Sequence, residues 1–295
     1  LDVDKSIFFL SADFGAAALD ELRERFPDNF LHCGISEQAM LDIAAGLALE
    51  GNKVYIYAMA PFLSLRCLEQ HKTTTCLMNL DVCSIITGIG LSYANSGPTH
   101  YATEDFACLR SIPNCEIYTA SDPYAAKLIA QLTKLNNKPK FIRLDRKAEI
   151  NISEKLNLTQ VKEGFRFLKK CNPAKKEICI VGHGTIVRRA IDAVMNINEK
   201  HKSSISIVDI IRSKPFPKKL KKIMNEYKSL LTLDEQTPQG SLGSLIYENL
   251  LGKQQIKNLS LPDKFIFENI NRSSLLDING LSVQNIKKNI LKLIK

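Results

Sequence analysis

Residues 33–51 read CGISEQAMLDIAAGLALEG. The Ala- and Leu-rich run predicts a helix over 37–50, and Gly51 stops it. Ser36 suits the N-cap, and Glu37 in the first turn complements the helix dipole. Short apolar runs flank the helix, FLHCG at 30–34 and KVYIYAM at 53–59. Strand, helix and strand in that order, with strands apolar throughout, point to a parallel sheet covered on both faces. Glu37 then lies just beyond the carboxyl end of a strand, where open α/β sheets take their ligands.

Working outward, the alternation continues. Strand-like runs fall at 6–12, 82–88, 115–121 and 140–144, and helix-like runs at 16–26, 62–79 and 123–135. Residues 146–172 lose the pattern, and the polar stretch RKAEINISEKLNLTQVKEG reads as a linker with room for a hairpin. A second alternation follows, with strands at 177–182, 204–210, 229–235 and 264–270. Its helices fall near 185–198, 217–227, 241–251 and 282–294. The expected fold class is α/β: two open, mostly parallel-sheet domains over 1–150 and 173–295, joined by a linker over 151–172.

Composition narrows the function classes. A hydrophobic content of 45% over 295 residues is enough for two cores. No apolar run approaches the ~18–20 residues of a membrane span, so no membrane partner is expected. The acidic start LDVDKSIFFLSAD does not read as a signal peptide. Eight cysteines lie at 33, 67, 76, 83, 108, 115, 171 and 179 without a CxxC pair. They read as reduced core residues of a cytoplasmic protein rather than a disulfide framework or zinc site. Residues 1–150 hold 14 basic and 18 acidic residues, and residues 151–295 hold 26 and 13. The lysines of the basic half are spread over helices without stacking aromatics, so nucleic acid is not an expected partner.

Two short motifs are set aside. SADFG (11–15) contains the kinase DFG tripeptide, without the Gly-rich loop or catalytic loop that should accompany it. VGHGTIVRRA (181–190) follows a strand and opens a helix, the setting of a phosphate-binding turn. It lacks the third glycine of a dinucleotide fingerprint and is read as tight strand–helix packing, with His183 a turn residue. ANSGPTHYATEDFACLRSIPN (94–114) is different, a long loop of the kind that tends to be functional. His100 on it can transfer a proton or hydrogen-bond a substrate oxygen.

Three stretches in order, GISEQAMLDIAAGLALEG, APFLSLRCLEQ (60–70) and SGPTHYATEDFACLRSIPN, resemble the pyrimidine-binding domain of the transketolase family of thiamine diphosphate enzymes. ICIVGHGTIV, ISIVDIIRSKPFP, LLTLDEQTPQGSLGSLI and LLDINGLSVQNI resemble that family's C-terminal domain. The resemblance implies that Glu37 hydrogen-bonds N1′ of the cofactor's aminopyrimidine. A carboxyl in an apolar pocket can share a proton with a ring nitrogen, which favours the imino tautomer that deprotonates the thiazolium. Phe62 is expected to stack on the pyrimidine. Ile35 and Arg66 are expected to border the cofactor, Arg66 in a structural or interfacial role with Glu69 and Gln70. His100 is expected to contact the donor's hydroxyl or carbonyl oxygens, with Ser96 beside it. Arg143 in FIRLDR matches a family arginine that faces acceptor phosphate.

The family binds the diphosphate and Mg²⁺ through a separate domain carrying GDG and a downstream Asn pair, and GDG occurs nowhere in this sequence. The resemblance therefore implies the C-terminal subunit of a split transketolase. Its N-terminal partner subunit would carry the metal ligands, in an α2β2 heterotetramer moving a two-carbon ketol unit between sugars or sugar phosphates. Alternatives are a 1-deoxyxylulose-5-phosphate synthase-like half, which decarboxylates pyruvate, and a 2-oxoacid dehydrogenase beta-type subunit, which does not usually carry GPTH. A cofactor-free regulatory or scaffolding homologue is a further alternative, against which intact Glu37, Phe62 and His100 argue. Two departures weigh against pentose phosphates as acceptors: Ser96 stands where many transketolases have an acid, and Gly88 where they have a phosphate-gripping His.

Overall fold

The computed structural model describes residues 4–12, 16–147, 151–152, 156–250 and 254–294. The DFG tripeptide at 13–15 lies outside them. The first half of the chain supplies β1 (Ile7–Ser11), β2 (Phe30–His32), β3 (Lys53–Met59), β4 (Val82–Thr87), β5 (Glu116–Thr119) and β6 (Lys140–Leu144). Later come β7 (Phe165–Lys169), β8 (Ile178–Gly182), β9 (Ile205–Ile210), β10 (Arg212–Lys214), β11 (Ser229–Leu233) and β12 (Gln255–Leu259). One sheet runs β10-β5-β6-β4-β3-β1-β2, the other β12-β11-β8-β9-β7. All pairs are parallel except β10 on β5 and β7 on β9. Both sheets are thus mostly parallel, as the unbroken apolar strands predict. Val54, Ile56, Val82 and Ile86 on neighbouring strands are buried in one cluster that extends to Val181, Val208 and Leu230 of the second sheet.

The helices cover these faces: α1 (Asp20–Arg25), α2 (Glu37–Leu49), α3 (Asp105–Ser111), α4 (Pro123–Leu132), α5 (Leu158–Glu163), α6 (Val187–Met195), α7 (Lys218–Met224), α8 (Leu242–Asn249) and α9 (Val283–Leu293). α2 buries Met40, Leu41, Ala44 and Ala45 against β3, one stripe of a 3.6-residue repeat. The predicted helix over 62–79 is irregular. Phe62–Arg66 and His71–Cys76 are wound more loosely than an α-helix, with one α-turn, Leu68–Gln70, between them.

Three expectations change. The stretch read as linker contains α5, closed by a reciprocal Asn157–Gln160 capping box and by Gly164 at φ +91°, and then β7. The strand expected at 264–270 is irregular chain; Ile266 is buried, but Phe265 and Phe267 are 75% and 74% exposed. The strand instead is β12, whose sequence QIKNL is polar because it forms the sheet's edge. Finally, β10 leaves the second half of the chain to pair with β5 in the first sheet. The two sheets are therefore interlocked across the domain boundary that the sequence suggests.

His71 sits at the centre of the irregular helix with no exposed surface. Its Nε2–H donates to the Leu63 carbonyl at 2.8 Å, its ring meets Phe141 edge-on, and its Nδ1 has no hydrogen-bond partner among the described residues. Burial pushes its pKa down to about 4 from 6.5, with the Leu63 carbonyl opposing. The unfolded chain therefore binds a proton at a higher pH than the folded one. This contribution to stability is full above pH 6.5 and lost as pH falls toward 4, a difference of about 3 kcal/mol. Urea midpoints of wild type and His71→Gln between pH 7 and pH 4 check this; the wild type is expected to lose more stability on acidification than the variant.

Candidate active site

Every element of the candidate site leaves the carboxyl edge of the first sheet. Glu37 begins α2, after β2 and a turn with Gly34 at φ +67°. Phe62 and Arg66 follow β3, one helical turn apart. His100 lies on the loop after β4. That loop is pinned by hydrogen bonds from the Gly88 and Ile89 amides to the Leu144 carbonyl, by the Gly90–Ala102 bridge and by the Tyr101 hydroxyl on the Ala94 carbonyl.

Glu37 is only 4% exposed. Arg66 Nη1 donates to its Oε2 at 2.7 Å, and Oε1 makes no hydrogen bond among the described residues. The Arg66 guanidinium lies 4.4 Å from the Phe62 ring centroid. Phe62 meets the His100 imidazole edge-on at 5.4 Å, and His100 faces Tyr93 at 6.2 Å. Arg146 caps Tyr93 at 4.6 Å. Glu37, Arg66, Phe62, His100, Tyr93 and Arg146 thus form one continuous series, in which cations lie on ring faces and ring edges meet ring faces. Neighbouring Cys67 is no competing nucleophile, since burial first and the Glu37 charge second push its thiol up to about 12.

The structure brings four sequence-predicted residues together: Glu37, Phe62, Arg66 and His100. Ser36 does not cap α2; its hydroxyl donates back to the Cys33 carbonyl at 2.6 Å. Ile35 is 79% exposed, in the turn ahead of the helix. Ser96 is exposed, in a single helical turn at Ala94–Ser96.

Arg143 requires a correction. Its side chain is 1% exposed and cannot face an acceptor phosphate. Nε and Nη2 hold both oxygens of Asp105 at 2.7 and 2.9 Å, and Nη1 donates to Thr119 Oγ1. Burial works against the Arg143 charge, but Asp105, with Asp234 and Glu235 adding to it, more than offsets this, and the pKa is raised. The reason is register, because Arg143 is inside β6 whereas Arg146 lies beyond its end. Sequence reasoning also missed Tyr93. The signal was Gly88, at φ +86°, where a Cβ would lie 2.0 Å from the Tyr93 ring. The missing side chain makes room for that ring.

The residues fit the pyrimidine end of thiamine diphosphate. A free, shielded carboxylate oxygen can meet a ring nitrogen, and the Phe62 ring lies beside it for a flat heterocycle. The family model "Transketolase, pyrimidine binding domain" matches residues 1–149, and "Transketolase, C-terminal domain" matches residues 170–286. The 1-deoxy-D-xylulose-5-phosphate synthase of Clostridium perfringens strain SM101 is 30% identical over 295 residues, covering 99% of this chain and 46% of that protein. This chain thus spans less than half the length of that relative. One of the subunits of the apulose-4-phosphate transketolase of Phocaeicola vulgatus is 27% identical, covering 99% of this chain and 93% of that protein. Among solved structures, "Split gene transketolase, inactive beta4 tetramer" superposes with a TM-score of 0.84 at 23% identity, over 99% of this chain and 93% of that one. Campylobacter jejuni transketolase superposes with a TM-score of 0.81 at 19% identity, over 97% of this chain and 44% of that one. The chain belongs to the transketolase family. It carries that family's pyrimidine-binding and C-terminal domains, and the family uses thiamine diphosphate.

The structural role of Arg143 is open to measurement. Arg143→Met leaves the Asp105 carboxylate buried without its cation, and breaking such a pair costs about 3–5 kcal/mol. Chemical denaturation should show that loss. A variant of wild-type stability would return Arg143 to the substrate side.

Proposed function

We propose that this chain is the C-terminal subunit of a two-chain, thiamine diphosphate-dependent transketolase that moves a two-carbon ketol unit from a ketose to an aldose. The observation that carries the reading is Glu37, a shielded carboxylate with one oxygen held by Arg66 and the other free, beside Phe62 and His100. Two relatives of matching length support the division into subunits, since this chain covers 93% of each. When bound, the cofactor would supply the carbon nucleophile for the donor's carbonyl.

The chain's own residues prepare that chemistry. Glu37 Oε1 would face the pyrimidine nitrogen, and Arg66 fixes the orientation of the carboxylate. Phe62 supplies the stacking face. His100, with Nδ1 beside the Thr99 hydroxyl at 2.9 Å, has Nε2 left to hydrogen-bond a sugar oxygen. On the acceptor side, the Tyr93 ring fills the space beside Gly88, so a pentose phosphate has no histidine there to grip it. The diphosphate and its Mg²⁺ belong to the N-terminal partner subunit, and the active site forms between the two chains.

A second reading has its own support. The relative at 30% identity is a 1-deoxy-D-xylulose-5-phosphate synthase. On that reading the donor is pyruvate, and carbon dioxide is released. Assays of the reconstituted enzyme with a ketose donor and with pyruvate separate the two.

Two measurements test the main reading. One hydrogen bond and one aromatic stack contribute about 0.5–1.5 kcal/mol each, whereas micromolar affinity needs about 8 kcal/mol. Calorimetric titration of the isolated chain with thiamine diphosphate should therefore show weak binding or none, and addition of the GDG-bearing partner and Mg²⁺ should restore it. Micromolar binding by the chain alone would place the diphosphate here. In the reconstituted enzyme, Glu37→Gln is expected to lower turnover by at least ~10²-fold with little change in unfolding midpoint. Hydrogen–deuterium exchange at the cofactor's C2 should slow in parallel, and unchanged exchange would remove Glu37 from that role.

A further inference from the structure

One steric exclusion shapes the far end of the candidate site. Gly88 directly follows β4, at φ +86°. A Cβ there would lie 2.0 Å from Tyr93 Cε2, 2.4 Å from Cδ2 and 3.2 Å from Cζ. Non-bonded carbons rest about 3.5–4.0 Å apart. The volume that any side chain at 88 would need is therefore taken by the Tyr93 ring, and the two positions cannot both carry bulk.

The ring is fixed where it stands. Ser92, just before it, donates its hydroxyl to Asp145 at 2.5 Å, and Asp145 is itself held by Thr185 and Arg272. Ala94, just after it, accepts from the Tyr101 hydroxyl at 2.6 Å. The Tyr93 carbonyl accepts from the Ser96 amide at 2.8 Å, and the Arg146 guanidinium lies 4.6 Å from the ring centroid. Both chain neighbours are anchored and the ring carries a cation, so swinging the ring aside would break several contacts at once. The ring acts as a wall.

That wall has a definite place along the site. The His100 imidazole meets Phe62 at 5.4 Å and Tyr93 at 6.2 Å. On the reading proposed above, the reacting carbon belongs at the Phe62 end and His100 bonds a sugar oxygen. An acceptor whose aldehyde carbon reaches the Phe62 end lies along His100, and its tail points at Tyr93. A short tail ends before the ring. A long one needs the space the ring holds.

We propose that Tyr93 is a specificity-determining residue that limits the length of the acceptor, so that short hydroxyaldehydes are taken in preference to pentoses. The inference rests on the proposed reading of the active site and adds to it the size class of the acceptor.

The test uses the enzyme reconstituted with its GDG-bearing partner, Mg²⁺ and thiamine diphosphate. Glycolaldehyde, glyceraldehyde, erythrose and ribose serve in turn as acceptors, with a ketose or pyruvate as donor. The quantity measured is kcat/KM for wild type, Tyr93→Phe, Tyr93→Leu and Tyr93→Ala. Each acceptor is compared with itself across the four enzymes, which cancels differences in ring closure among the sugars. Tyr93→Ala is expected to raise the efficiency with ribose relative to glycolaldehyde at least about tenfold, the effect of a change in pocket volume. The gain should come mainly through the KM for ribose. Tyr93→Leu should fall between, and Tyr93→Phe, which keeps the ring, should keep the wild-type ratio. An unmoved ratio in Tyr93→Leu and Tyr93→Ala would overturn the proposal. So would an equal change in Tyr93→Phe, which would assign the selection to the hydroxyl, or a loss shared by all four acceptors, which would leave Tyr93 no part in selection. Donor consumption with ferricyanide in place of an acceptor reads the active site separately. A wild type that turns over neither donor would overturn the reading of the site and this proposal with it, whereas donor turnover with an unmoved ratio would overturn this proposal alone.

Discussion

Asp105 has no exposed surface, and the geometry of the candidate site rests on what holds its carboxylate. Arg143, from the middle of β6, takes both oxygens. Gln236, from the loop after β11, donates to the same carboxylate at 2.9 Å and to the Ala102 carbonyl at 2.8 Å, while its own oxygen accepts from the Phe106 amide. One buried charge pair therefore fixes the start of α3, the end of the His100 loop and a loop of the second domain to a single sheet position. Buried pairs are weak sources of net stability, but their directional bonds tolerate few alternatives. That rigidity suits a loop whose histidine must keep its place beside Phe62.

The acid that opens α2 has a different logic. A carboxylate in the first turn of a helix needs no partner at the surface, because the helix dipole and water satisfy it. Glu37 is shielded from water, and only one of its oxygens is satisfied among the described residues. Arg66, which supplies that bond, is itself 43% exposed and lies on the Phe62 ring. The carboxylate, the guanidinium and the ring thus hold one another at the mouth of the site. A free acceptor in a shielded place is an incomplete constellation, and on the proposed reading the pyrimidine of the cofactor completes it.

Much of this was legible in the sequence. Parallel strands buried on both faces are apolar from end to end, so β3, β4, β8, β9 and β11 stood out. β12 did not, because an edge strand exposes alternate residues and QIKNL looks like loop. KFIFENI looked like strand because it is apolar, yet it buries Ile266 alone and turns its two phenylalanines outward. Glu37, Phe62 and His100 were legible as motif residues. Arg143 was misplaced because a motif records which residue types occur, not which of two nearby arginines lies inside the strand. Tyr93 was silent for a related reason: its position follows from the absence of a side chain at Gly88, and absences carry no label.

The division into two domains is true of the sheets and incomplete for the chain. β10 is made by residues that follow β9 of the second sheet, yet it forms the edge of the first, with the Thr119 amide donating to the Ile211 carbonyl beside it. Arg166 of β7 reaches Asp122 of the first domain and Asp209 of the second, and the Ser121 hydroxyl donates to that same Asp209. Arg272 likewise joins Asp145 of the first domain to Glu235 of the second. Each bond is made by buried or largely buried charges, so separating the sheets would expose unpaired ions rather than merely apolar surface. The second domain is therefore part of the scaffold that aims the first domain's loops. Thr185 belongs to the same frame, its hydroxyl donating to Asp145 and accepting from Arg272 at the seam.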